Sequence, residues 1–315
     1  MARIQGGACP QSGTLLSESA SVTDSPQSAA APHNWKLTVA YDGTGFSGWQ
    51  IQPGELTVQG ELQAALRRVT GEAPLPQGSG RTDAGVHALG QVASFPLDAN
   101  IPPENLLRAL NRTLPEAIRV VEARVVPRGF HARHSPLAKT YEYRVFRGEI
   151  CPPVLARYVH ACSWPMDVTA LEAAAKMFEG EHDFLSFAAT DPDLRSRTLA
   201  LNTPDCGDSG ATAEAGPTGK RGAIRTIFSS CWEERRTENG DLLIYRVRGN
   251  GFLHHMVRNL VGTMLDVGRG YREAGEIPVI LAARSRAAAG PTSPAQGLFL
   301  HSVEYPADEV LRNQG

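Results

Sequence analysis

Apolar positions along the chain recur with two periods. Leu37, Val39 and Tyr41 alternate with polar residues after Trp35, which predicts a half-buried strand. Val58, Leu62, Ala65, Leu66 and Val69 recur at helical spacing. Thr57 can cap that helix and Gly71 stops it. Val86, Ala88, Gly90, Val92 and Phe95 begin a mostly apolar strand entering the core. Pro102 and Pro103 precede a short helix with Leu106, Leu107 and Leu110, and Ile118 to Val126 reads as a strand. Tyr141, Tyr143 and Val145 share one strand face, with Thr140, Glu142 and Arg144 on the other. Asp167 caps a helix whose face is Leu171, Ala174, Ala175 and Phe178, ended by Gly180. Ile224 to Glu233 and Leu242 to Arg248 predict two antiparallel strands about a turn at Asn239-Gly240. Phe252, Met256, Leu260, Val261 and Met264 follow helical spacing, and Gly297 to Tyr305 is the last strand.

The pattern dissolves in three places. Residues 1–33 are rich in Ser, Ala, Gly and Pro and are expected to be a disordered tail. They lack the apolar core of a secretory signal and the Arg-rich character of a transit peptide. Residues 190–222 read as a flexible surface insertion, and 307–315 as a second tail. Between them, 35–146 and 147–306 make two core-forming units, a plausible division of 315 residues. No apolar run approaches the roughly 20 residues that span a membrane. Five scattered cysteines without a Cys-x-x-Cys pair argue against a disulfide scaffold or zinc site and fit a reducing cytoplasm. The formal net charge of −2 does not announce a nucleic-acid binder. From Ile101 to Arg147, however, nine Lys/Arg face four Asp/Glu, a local excess of +5 that suits either a phosphate footprint or a solvated basic face.

Three stretches carry candidate chemistry. In Gly80-Arg81-Thr82-Asp83-Ala84-Gly85, one carboxylate lies between glycines that permit a sharp turn. An Asp in such a place is commonly a turn former. Here Arg81, two residues away, can hold a phosphate or pair with the carboxylate if it faces the same cleft. Gly43-x-Gly45-x-x-Gly48 matches a dinucleotide fingerprint after a strand, but Pro53 and Gly54 leave no room for the helix that would offer N–H groups to pyrophosphate. His254-His255 suggests a metal pair. Adjacent residues on a helix point about 100° apart, and no acidic or Cys partner stands at ligand spacing, so no metal is expected.

Arg81-Thr82-Asp83-Ala84-Gly85-Val86-His87 resembles the active-site motif of the tRNA pseudouridine synthase A family. Other segments are similar in the same order: Tyr41 to Gln52, Phe130-His131-Ala132-Arg133 leading to Lys139-Thr140-Tyr141-Glu142-Tyr143, Asp183-Phe184-x-Ser186-Phe187, His254 to Asn259, and Gly297-Leu298-Phe299-Leu300. His134 departs from the Phe common in the family, and the insertion at 190–222 is longer than the family's bridge. The resemblance implies an α+β pseudouridine synthase fold, with a mixed, largely antiparallel sheet flanked by helices and two similar lobes around a basic cleft. It implies Asp83 as the catalytic carboxylate and Arg258 as the arginine paired with it. It makes Tyr141 and Leu298 the residues that enclose the target base, and Arg81 and Arg133 the tRNA contacts. The implied reaction converts uridine to pseudouridine at positions 38, 39 and 40 of the tRNA anticodon stem-loop, without a cofactor, in a cytoplasmic homodimer. Two other readings stay open: a glycosidase-type hydrolase, which needs a second carboxylate at a set separation, and a tRNA-binding protein without catalysis.

Overall fold

The computed structural model describes residues 33–189, 222–237 and 240–307. Apart from boundary residues, the expected tails and insertion lie outside these, as does Asn239 of the predicted turn. In chain order the elements are β1 (His33–Tyr41), α1 (Val58–Thr70), β2 (Gln77–Gly78), β3 (His87–Leu97), α2 (Pro103–Thr113), β4 (Ile118–Val126), β5 (Ala138–Arg147), α3 (Pro153–Ala156), β6 (His160–Cys162), α4 (Val168–Lys176), β7 (Gly180–Asp183), β8 (Ile224–Thr237), β9 (Gly240–Gly249), α5 (Met256–Gly268), α6 (Ile277–Ala283) and β10 (Leu298–Glu304).

The described strands form one sheet in the order β4-β1-β3-β10-β5-β9-β8-β7, with β2 added beside β3 and β6 beside β5. Pairing is antiparallel except β10 with β3 and β6 with β5. The fold is therefore α+β with a mixed, largely antiparallel sheet. The last strand sits at its centre. β10 sets Phe299 opposite His87 on one side, and Leu298 opposite Tyr143 and Leu300 opposite Tyr141 on the other. The strand that leaves the Asp83 turn and the strand bearing Tyr141 are thus two sheet steps apart, about 10 Å.

Local chemistry explains several element ends. Thr57 Oγ1 accepts from the Gly60 N–H and Gly71 closes α1 with φ 80°. Asp167 caps α4 by accepting from Ala170 N–H. That helix stops at Lys176, and Gly180 opens β7 with φ 102° rather than ending the helix. Trp35, Leu37 and Val39 of β1, Leu62 and Leu66 of α1, Tyr143 and Tyr245 of the central strands, and Met256, Leu260 and Met264 of α5 share one buried core. Glu142, on the face of β5 opposite Tyr141 and Tyr143, is also buried, because Arg144 and Arg246 close over its carboxylate at 2.7 and 2.9 Å.

Candidate active site

The Asp83 turn rests on the glycine-rich segment that follows β1. Trp49 N–H donates to Thr82 O at 3.0 Å, Gly85 N–H to Phe46 O at 3.3 Å, and the Tyr41 and Thr82 hydroxyls share a hydrogen bond of 2.8 Å. A Cβ at Gly43 would lie 2.1 Å from Val86 O, and one at Gly48 2.6 Å from Thr82 O. The segment that imitates a nucleotide fingerprint therefore forms the bed of the turn, and its glycines allow backbone to meet backbone. Gly85 has φ 77°, the left-handed conformation the turn requires. Gly80 does not use such an angle; a Cβ there would meet Lys139 Nζ at 3.1 Å, so space is what it provides. Behind the turn, buried His87 accepts from Gly43 N–H at 3.0 Å through Nδ1 and faces Arg157 O at 3.0 Å through Nε2. Burial lowers its pKa, so a neutral ring with its proton on Nε2 satisfies both contacts.

Three basic side chains, two just ahead of α5 and one in its first turn, converge on Asp83. Arg258 Nη1 donates to Oδ2 at 3.1 Å, while its Nε donates to Ser293 O at 2.7 Å. His254 Nε2 lies 3.4 Å from Oδ1 and His255 Nε2 3.3 Å from Oδ2. The expectation that neighbouring histidines diverge fails because neither lies within the helix. His255 is the residue before it and has φ 58°, uncommon for a side-chain-bearing residue. That bend brings the two rings to 4.0 Å centroid separation at 33° and aims both at the carboxylate. The acidic partner missing from the local sequence is Asp83 itself. Burial lowers the His255 pKa against the opposing pull of the Asp83 charge.

Around this point opens a cleft of about 1310 Å³. Its lining includes all six residues singled out in the sequence: Asp83, Arg258, Tyr141, Leu298, Arg81 and Arg133. Tyr141 is 8% exposed and packs edge-on to Phe252 at 5.0 Å. Burial, then the nearby Tyr41 and Asp83, raise its pKa, so the hydroxyl keeps its proton at neutral pH. Leu298 is 6% exposed. Arg81 and Arg133 are exposed on the wall. Sequence reasoning did not single out Lys139 or Arg225 as site residues, though both line the cleft. Burial, then Arg133 and Arg225, push the Lys139 pKa down to about 8. Of its nine cations, the basic stretch 101–147 contributes only Arg133 and Lys139 to the cleft. Elsewhere in it Arg144 pairs with Glu142, and Arg147 with Glu234 and Asp241.

The site thus offers one carboxylate held by a guanidinium, an apolar slot beside it, and cations along the walls. A family model described as tRNA pseudouridine synthase matches residues 37–135 and 207–306. The chain is 46% identical over 271 residues to tRNA pseudouridine synthase A of Solibacter usitatus, covering 86% of this chain and 98% of that protein. It is 40% identical to the enzyme of that name from Lacticaseibacillus casei, over 86% and 99% of the two chains. With the one from Moorella thermoacetica the identity is 41%, over 86% and 98%. Matches of this extent, the family model's including the Asp83 turn, α5 and β10, show that the chain belongs to the tRNA pseudouridine synthase family.

Proposed function

We propose that this chain isomerises uridine to pseudouridine in the anticodon stem-loop of tRNA, at positions 38, 39 and 40, with Asp83 as the nucleophile. The reaction breaks the N1–C1′ bond and forms C5–C1′. The proton on C5 leaves and N1 gains one, so no electrons are exchanged and no cofactor is consumed. A carboxylate suits it as a nucleophile or as a partner for a cationic sugar centre. The observation that carries the reading is the 3.1 Å pairing of Asp83 with Arg258 at the floor of the cleft, beside Tyr141 and Leu298.

The target uridine is stacked in a helix and must be turned out to reach Asp83. Tyr141 and Leu298 then enclose the base; base–aromatic stacking contributes about 1–3 kcal/mol. Arg81 and Arg133 hold phosphates, joined by Lys139 and Arg225. A cleft of about 1310 Å³ exceeds the roughly 300–1,000 Å³ of small-molecule pockets, as a polymeric substrate requires. A hydrolase is disfavoured because Glu55, the other carboxylate of the cleft lining, lies exposed and hydrogen-bonded to Ser47. The same reading makes the protein a cytoplasmic homodimer whose two lobes, 35–146 and 147–306, close on the RNA.

The experiment is to incubate the purified chain with unmodified tRNA transcripts and map pseudouridine by carbodiimide labelling and primer extension. Modification confined to 38–40 supports the reading. Modification elsewhere moves the target, and released uracil replaces isomerisation with hydrolysis. Sedimentation of the same sample tests the dimer.

A further inference from the structure

The proposed isomerisation needs a carboxylate and a cation, and Arg258 supplies the cation. It leaves two imidazoles without a task. His254, His255 and Asp83 each offer one ligand atom, and these atoms all lie within 4.8 Å of one another. The two contacts to the carboxylate measure 3.4 and 3.3 Å. A tetrahedral ion with bonds of about 2.0–2.1 Å sets its ligands about 3.3 Å apart. Each histidine therefore stands at a metal ligand's spacing from the carboxylate, one at each oxygen, before any ion arrives. Their approach depends on the left-handed backbone at His255, which a histidine adopts only at a cost.

We propose that Asp83, His254 and His255 form a binding site for a zinc-like divalent ion, and that its occupancy inhibits the enzyme. Two imidazoles and one carboxylate are a three-ligand set that leaves a fourth position for water. Imidazole donors select Zn²⁺, Co²⁺, Ni²⁺ or Cu²⁺ over Mg²⁺ and Ca²⁺, which prefer oxygen. Two features make the ion a reversible inhibitor rather than a resident cofactor. Arg258 stays at Oδ2, anchored by Ser293 O, and its charge opposes a dication. Among the described residues His254 Nδ1 is buried without a hydrogen-bond partner, so they supply no outer-shell acceptor of the kind that usually orients a ligating histidine. The ion occupies the lone pairs of Asp83, so inhibition rests on the reading of Asp83 as the reactive group, whereas binding does not.

The test titrates the full chain with CoCl₂ in chelator-free buffer, reading the visible bands of low-coordinate Co²⁺, and with ZnCl₂ by calorimetry. Isomerisation of tRNA is followed in parallel. One equivalent binds, and a chelator reverses both binding and inhibition. His254→Ala and His255→Ala each weaken binding by about tenfold or more. Arg258→Gln, which removes the charge, tightens it. No binding at millimolar ion overturns the proposal. So does binding that persists unchanged in both histidine variants, since the ion then sits elsewhere, for instance on cysteines. If Co²⁺ binds through the histidines but the chain shows no isomerase activity, the metal site stands and the proposed function fails.

Discussion

Arg258→Lys is the substitution that separates charge from geometry at the site. The guanidinium makes two directed bonds at once, Nη1 to Asp83 Oδ2 at 3.1 Å and Nε to Ser293 O at 2.7 Å. Its side chain is 15% exposed and that of Asp83 20%, so solvent replaces neither bond fully. Lysine keeps the positive charge but carries a single point-like ammonium, which cannot hold both acceptors in the arginine fork geometry. One bond to a charged or buried partner is lost, at about 1.5–3 kcal/mol. If that bond positions Asp83 in the transition state, at 1.36 kcal/mol per tenfold the rate falls about 10- to 160-fold. The assay is single-turnover tritium release from tRNA labelled at C5 of uridine, with tRNA affinity measured separately by filter binding. The account expects the loss in rate, with affinity changed less than about threefold, well under the ~1.4 kcal/mol of a tenfold change. A variant within twofold of wild type in rate would refute the claim that Arg258 acts by holding Asp83.

The glycine bed makes a paired prediction. Gly43→Ala sets a methyl 2.1 Å from Val86 O, whereas ordinary contact begins at 3.4 Å, so the Asp83 turn must shift by about an ångström. A misplacement of that size costs about 10²-fold in rate. Gly45→Ala, with nothing within 4 Å, stays near wild type; equal rates for the two variants would remove the bed from the account. Lys139 gives a pH signature. With its pKa pushed down to about 8, it is charged at pH 7 and neutral at pH 9, so tRNA affinity falls as pH rises through that range. Lys139→Met binds more weakly at pH 7 and flattens the dependence, and an unchanged pH profile would exclude Lys139 from phosphate binding. Tyr141→Phe keeps the stacking ring, so affinity holds while turnover drops about 10²-fold, the lower end for a positioned proton donor or acceptor; unchanged turnover would leave Tyr141 only the stacking role.

Elements whose signals are local were legible in the sequence. The bounds of β4 match the expected Ile118–Val126, and Thr57 and Gly71 delimit α1 as their chemistry requires. The two-residue β2, three-residue β6 and four-residue β7 are too short for a period to register and depend on neighbouring strands. The site divides in the same way. Asp83 and Arg258 lie 175 residues apart, and no periodicity links them; only the resemblance of their motifs did. The histidine rings converge for a definite reason: helix geometry does not hold at His255, which bends left-handed at the helix entrance. Net local charge was a poor guide as well, because Arg144 and Arg147 neutralise carboxylates in the sheet rather than serving the cleft. Gly43 and Gly48 signal a close backbone approach: no helix opens on Gly48, which argues against a nucleotide, and the backbone they accommodate comes from the Asp83 turn some forty residues later.

The central claim is that Asp83 is the group that reacts. Its most direct test is single-turnover isomerisation by Asp83→Asn, a near-isosteric change that removes the negative charge. The substrate is a tRNA transcript with tritium at C5 of the target uridines. Binding of tRNA comparable to wild type is expected, with no tritium release above that of the transcript alone. Release by Asp83→Asn at a rate near that of wild type would contradict it.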